Sequence, residues 1–187
     1  MFVKICGLRR EIDIDYVNEL KPDFIGFIFA PNKVRTVNPE FAKILKDKLD
    51  KDIKAVGVFR NNDLNDIKKV LDLNIIDLIQ LHGDEDDEYI INVKKMTNLP
   101  IIKAYRNSEY ADYILFDNMD PGKGNMFDWN IIDRKKPFFL AGGISIDNID
   151  IAIKQKPYCI DVSSGVETSG FKDYDKMKEL IRRCRNE

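Results

Sequence analysis

Apolar residues recur along this chain in two rhythms that take turns. Eight short runs read as strands: Phe2–Cys6, Phe24–Phe29, Ile53–Phe59, Ile76–Leu81, Ile101–Tyr105, Tyr113–Asp117, Phe138–Ala141 and Tyr158–Val162. Several are apolar on both faces, as in Phe24-Ile-Gly-Phe-Ile-Phe29, the pattern of parallel strands covered by helices. Amphipathic stretches lie between them. Asp13–Leu20 follows the first strand, and Asn38 with Pro39 supplies an N-cap and a first helical position for the second helix. Asn62-Asp63 opens a third helix, and Asp86–Met96 forms a fourth. Asp147–Lys154 and Asp173–Arg183 complete the series.

Strand and helix in strict alternation imply parallel pairing, and eight such strands close a (β/α)8 barrel. Two connections are short. Only Arg106–Asp112 separates the fifth strand from the sixth, so the fifth helix is one turn at most or missing, and Asp128–Arg134 allows only a short sixth helix. The alternative is an open doubly wound sheet, but no Gly-x-Gly-x-x-Gly follows the first strand. No linker or low-complexity tract interrupts the chain, so residues 1–187 are expected to form one barrel domain.

Composition narrows the partners. Lys and Arg number 30 against 32 Asp and Glu, a net charge of −2, which creates no field for nucleic acid or an anionic membrane. No apolar run approaches the roughly 20 residues that span a bilayer, and the N-terminus begins directly as a strand. Cys6, Cys159 and Cys184 lie far apart, without metal-ligand spacing, which fits reduced thiols in a cytoplasmic protein. The expected partner is a small phosphorylated molecule, with the chain a monomer or, less favoured, a dimer.

The glycines gather at strand ends, which in a barrel form the face that holds the active site. Cys6 ends the first strand, followed at once by Gly7, and shares the inward parity of Lys4. A buried thiol is often only a small hydrophobe; its place at the rim suggests more. Asp117 closes the sixth strand across the mouth from Cys6, and a thiol facing a carboxylate can serve as base and acid. Gln80 and His82 point inward at the end of the fourth strand; with a single His in the chain a metal site is not expected. Arg35, in the loop after the second strand, is either a solvated cation or a fork for a carboxylate. Gly142-Gly143 after strand seven and Ser163-Ser164-Gly165 after strand eight suit a phosphate, aided by a short helix starting near Gly165. Asp161 sits inside strand eight and must pair with Lys4 or contact substrate. Glu167 reads as a helix-start carboxylate, and Cys159 and Cys184 read as structural.

These segments, in order, resemble the phosphoribosylanthranilate isomerase family of tryptophan biosynthesis. The likeness rests on Lys4-Ile-Cys-Gly7, Gly26-Phe-Ile-Phe-Ala-Pro31 with Arg35, Val56-Gly-Val-Phe59, Gln80-Leu-His-Gly83, Leu115-Phe-Asp117, Phe127-Asp-Trp129, Leu140-Ala-Gly-Gly143 and Asp161-Val-Ser-Ser-Gly-Val-Glu167. The resemblance implies a cofactor-free Amadori rearrangement of N-(5-phosphoribosyl)anthranilate. It makes Asp117 the general acid and Cys6 the general base, a thiolate favoured by nearby positive charge. It gives Arg35 the anthranilate carboxylate, His82 and Asp161 the surroundings of the reacting sugar and amine, and Gly142, Gly143, Ser163, Ser164 and Gly165 the phosphate. One segment departs from the family: Pro121-Gly-Lys-Gly-Asn-Met126 stands where Gly-Gly-Thr/Ser-Gly-Lys is usual, so the loop's lysine is absent or shifted to Lys123. The alternatives are another phosphate-sugar barrel enzyme, such as an indole-glycerol-phosphate synthase-like protein, and a non-catalytic phospho-ligand sensor.

Overall fold

The computed structural model describes residues 1–117 and 136–185. Eight parallel strands follow one another around a closed barrel: β1 (Phe2–Cys6), β2 (Phe24–Ile28), β3 (Lys54–Phe59), β4 (Leu78–Leu81), β5 (Ile101–Ala104), β6 (Tyr113–Phe116), β7 (Phe138–Leu140) and β8 (Cys159–Val162). β1 closes the ring on β8, with Lys4 opposite Asp161.

Alternation along each strand divides the apolar residues into two cores. The inward set includes Cys6, Phe24, Val56, Val58, Leu78, Ile102, Leu115, Phe139 and Cys159 and fills the barrel. The outward set, including Ile5, Ile25, Phe27, Phe59, Ile79 and Ile160, meets the helices. Such a barrel is filled by layers of side chains and is not a pore. Aromatic rings make its floor, with Phe24 and Phe139 at 5.7 Å and Tyr113 and Tyr158 at 5.2 Å between centroids.

Among the described residues the helices are α1 (Glu11–Leu20), α2 (Pro39–Lys48), α3 (Leu64–Asp72), α4 (Asp87–Met96), α5 (Ile149–Lys154) and α6 (Tyr174–Arg185). α1 begins two residues earlier than periodicity suggests. The buried Asp13 carboxylate accepts from the Arg9 and Arg10 amides, both at 3.0 Å, and from the Arg10 guanidinium, fixing the first turn. α2 is capped as expected, with Asn38 accepting from the Phe41 amide at 2.7 Å. Between β5 and β6 the chain forms turns and no helix. The expected sixth helix, the Pro121–Met126 loop and Phe127-Asp-Trp129 lie outside the described residues.

One element was not foreseen. After β8, a 3-10 turn (Ser164–Val166) leads into a small antiparallel hairpin, β9 (Glu167–Thr168) and β10 (Phe171–Lys172). The helix expected near Gly165 is thus one turn that begins at Ser164, too short to build a macrodipole.

Candidate active site

A cavity of about 430 Å³ opens at the carboxyl ends of the strands. Its walls include Cys6, Arg35, His82, Asp117, Gly142, Gly143, Asp161, Ser163 and Ser164. Gly165 is not among them.

Cys6 is 7% exposed at the end of β1. Its room comes from the next strand. Gly26 is its register partner on β2, and a Cβ there would stand 2.7 Å from Cys6 Sγ. Burial pushes the Cys6 thiol above its ordinary pKa, and Asp161 adds to that. Lys4 and Lys172 pull the other way without overcoming it. Nearby positive charge, expected to favour the thiolate, is present in Lys4 and Lys172, but burial outweighs it.

Below Cys6 lies a charged layer. The Lys4 ammonium, wholly buried, donates to Asp161 Oδ2 at 2.7 Å and to Gln80 Oε1 at 2.9 Å. Burial lowers the Lys4 pKa, but Asp161 and Cys6 outweigh it and hold it above the ordinary lysine value, so the group stays charged. The second oxygen of Asp161, Oδ1, is buried and has no hydrogen-bond partner among the described residues. Gln80 continues across the barrel, its Nε2 lying 2.8 Å from His82 Nδ1. His82 Nε2 then lies 3.1 Å from Asp117 Oδ2 and 2.8 Å from the Tyr105 hydroxyl.

Arg35 is not a free fork. Its Nε and one terminal nitrogen clasp Glu167 at 2.7 and 2.6 Å. Glu167 also accepts from Lys172 at 2.7 Å, and Lys172 donates to the Ser163 carbonyl at 2.9 Å. Burial pushes the Glu167 carboxyl up, but hydrogen bonds and charge from Arg35 and Lys172 overcome this and hold it at about 2. The reading of Glu167 as a helix-start carboxylate is corrected: it stands in the hairpin and ties the loop after β2 to the loop after β8.

The two loops proposed for phosphate meet as expected, with a different division of labour. Gly142 and Gly143 line the cavity with positive φ of 91° and 70°. Ser163 donates its hydroxyl to the Cys6 carbonyl at 3.1 Å, so its proton is committed to β1. Gly165 allows the loops to touch, since a Cβ there would stand 1.9 Å from the Ile144 carbonyl oxygen.

A model of the N-(5'-phosphoribosyl)anthranilate (PRA) isomerase family matches residues 3–183. The chain belongs to the PRA isomerase family. The N-(5'-phosphoribosyl)anthranilate isomerase of Endomicrobium trichonymphae is 42% identical over 197 residues, covering 98% of each chain. The crystal structure of phosphoribosyl anthranilate isomerase from Thermotoga maritima superposes with a TM-score of 0.88 at 32% identity, covering all of both chains. A further isomerase, 31% identical with a TM-score of 0.85 and full coverage of both chains, was solved in complex with reduced 1-(o-carboxyphenylamino)-1-deoxyribulose 5-phosphate.

Within this PRA isomerase fold, two side chains at the site escaped sequence reasoning. Strand alternation assigns Tyr105 to the outer face with Lys103. A left-handed φ of 70° just past β5, a backbone conformation rare for a bulky residue, instead brings its ring against His82. Burial, followed by Asp117, pushes its hydroxyl up to about 12. Lys172 was missed because it arrives on a hairpin with no periodic signal.

Proposed function

We propose that the protein catalyses the Amadori rearrangement of N-(5'-phosphoribosyl)anthranilate, with Asp117 as general acid and Cys6 as general base. The observation that carries this reading is that Cys6 and Asp117, from opposite sides of the ring of strands, line one cavity beside the loops after β7 and β8. The Asp117 carboxyl gives its proton to the furanose ring oxygen. The C1–O bond breaks as the anthranilate nitrogen lone pair forms C=N, which acidifies the neighbouring C2–H. The Cys6 thiolate takes that proton, leaving an enolamine. Its O–H is lost as C1 gains a proton, and the 2-ketone results.

The rest of the site supports this chemistry. Phosphate held between Gly142-Gly143 and Ser164 and carboxylate held near Arg35 fix the two ends of the substrate, so the sugar spans the gap between thiol and carboxyl. Arg35 keeps one terminal nitrogen outside its clasp with Glu167 for this task. Asp161 Oδ1, an acceptor without a partner among the described residues, suits a hydroxyl or amine of the bound sugar. The reaction as written needs no cofactor.

Purified protein with substrate generated in situ tests the reading. Cys6→Ala and Asp117→Asn should each lower kcat by about 10²- to 10⁴-fold, the usual worth of a positioned acid or base, with KM less affected. Because Cys6 lies above the ordinary thiol value, kcat/KM of the unaltered protein should climb toward alkaline pH. Near-normal turnover by Cys6→Ala would sink the base assignment.

A further inference from the structure

We infer that Lys4 and Gln80 are positioning residues that lock His82 in its Nε2–H tautomer, so that the imidazole donates toward Asp117 and cannot take the acid's proton. The inference follows from one donor whose polarity is beyond choice. An ammonium has no acceptor lone pair, and burial with Asp161 leaves Lys4 no other way to turn. The Gln80 atom 2.9 Å from Lys4 is therefore the carbonyl oxygen, and the atom 2.8 Å from His82 Nδ1 is the amide nitrogen. Flipping Gln80 would set its N–H against the ammonium. Nδ1 faces an N–H and must accept, so the ring proton resides on Nε2.

That end of the ring meets Asp117 Oδ2 at 3.1 Å and the Tyr105 hydroxyl at 2.8 Å. Tyr105 cannot donate into Nε2, because that nitrogen already bears hydrogen. The consequence for catalysis rests on the assignment of Asp117 as acid. In the opposite tautomer an imidazole lone pair would face the carboxylic acid and remove its proton before substrate could receive it. In the locked tautomer no imidazole lone pair competes for that proton. The Nε2–H edge, 3.1 Å from Asp117 Oδ2, then faces the negative charge that develops there on transfer. Lys4 thus serves both walls: it stands beside Cys6 on one side and orders the acid's neighbour on the other.

His82 is the only histidine in the chain, which makes the test direct. Protein labelled with 15N in histidine and glutamine is expected to show a protonated Nε2 and a bare Nδ1, with a coupling across the hydrogen bond from the Gln80 amide to Nδ1. Gln80→Leu, which removes the link while leaving the Lys4–Asp161 pair, should lose the single-tautomer signature. It should also lower kcat roughly ten- to hundredfold, the usual effect of removing a partner that orients a functional histidine, with KM within about twofold. A proton on Nδ1 in the unaltered protein overturns the lock. Unchanged kcat in Gln80→Leu overturns its part in catalysis. The spectrum requires no turnover, so failure of the isomerase reading would leave the tautomer result standing and be recognised separately by the activity assay.

Discussion

Arg35 can present a fixed edge to the cavity only because Glu167 grips the other edge through two parallel N–H···O bonds at 2.7 and 2.6 Å. Glu167→Gln leaves one good acceptor and no charge, so the guanidinium should swing. KM for phosphoribosylanthranilate is expected to rise about tenfold while kcat changes less, because the role proposed for Arg35 is to hold the substrate's carboxylate and not to transfer a proton. A kcat loss at unchanged KM would argue against this. The same carboxylate gives a pH signature. Burial raises Glu167, but its two cationic partners hold it at about 2 against an ordinary 4.5. A depressed folded value means that its stabilising contribution is complete above 4.5 and is lost as pH falls toward 2. Urea denaturation at successive pH values should show a smaller loss of stability across that interval in Glu167→Gln than in the unaltered protein.

Loops after β7 and β8 line one side of the cavity, and they meet at Gly165. Since any Cβ would meet the Ile144 carbonyl oxygen at 1.9 Å, Gly165→Ala must push the two loops apart. The expected result is a KM raised at least about tenfold, because misplacing backbone donors by an ångström is costly, with a modest drop in Tm. Competitive inhibition by inorganic phosphate should weaken in parallel, and unchanged inhibition would separate Gly165 from phosphate binding. This scale also shows what periodicity could and could not reveal. Parity along β1, β4 and β8 correctly turned Lys4, Cys6, Gln80, His82 and Asp161 inward, because alternation is a property of extended backbone alone. Tyr105, the β9–β10 hairpin and the Arg35–Glu167 clasp were illegible. Each depends on a left-handed residue or on loops that meet only after the barrel has closed.

Across the whole molecule, the barrel holds a further buried charge pair outside its interior, and its removal should separate scaffold from chemistry. Lys103 on β5 and Glu85 in the loop after β4 are each 1% exposed and 3.1 Å apart. Lys103 also donates to the Gly83 carbonyl at 2.6 Å. Glu85 accepts from the Gly83 and Asn61 amides at 2.8 and 2.7 Å. Together they pin the loops after β3 and β4, and with them the segment that carries His82. Burial lowers the Lys103 pKa even with Glu85 opposing that shift, so the pair is held at a desolvation cost. Lys103→Met would leave the Glu85 carboxylate buried without a cation and the Gly83 carbonyl without a donor. The expected loss is about 3–5 kcal/mol of unfolding free energy, as when one partner of a buried pair is removed. The double variant Lys103→Met, Glu85→Gln should recover part of it, since a neutral amide still accepts one backbone N–H and leaves no stranded charge. Chemical denaturation of the two variants decides the matter. A Lys103→Met protein within about 1 kcal/mol of the unaltered one, or a double variant less stable than the single, would show that the pair does not hold the loops.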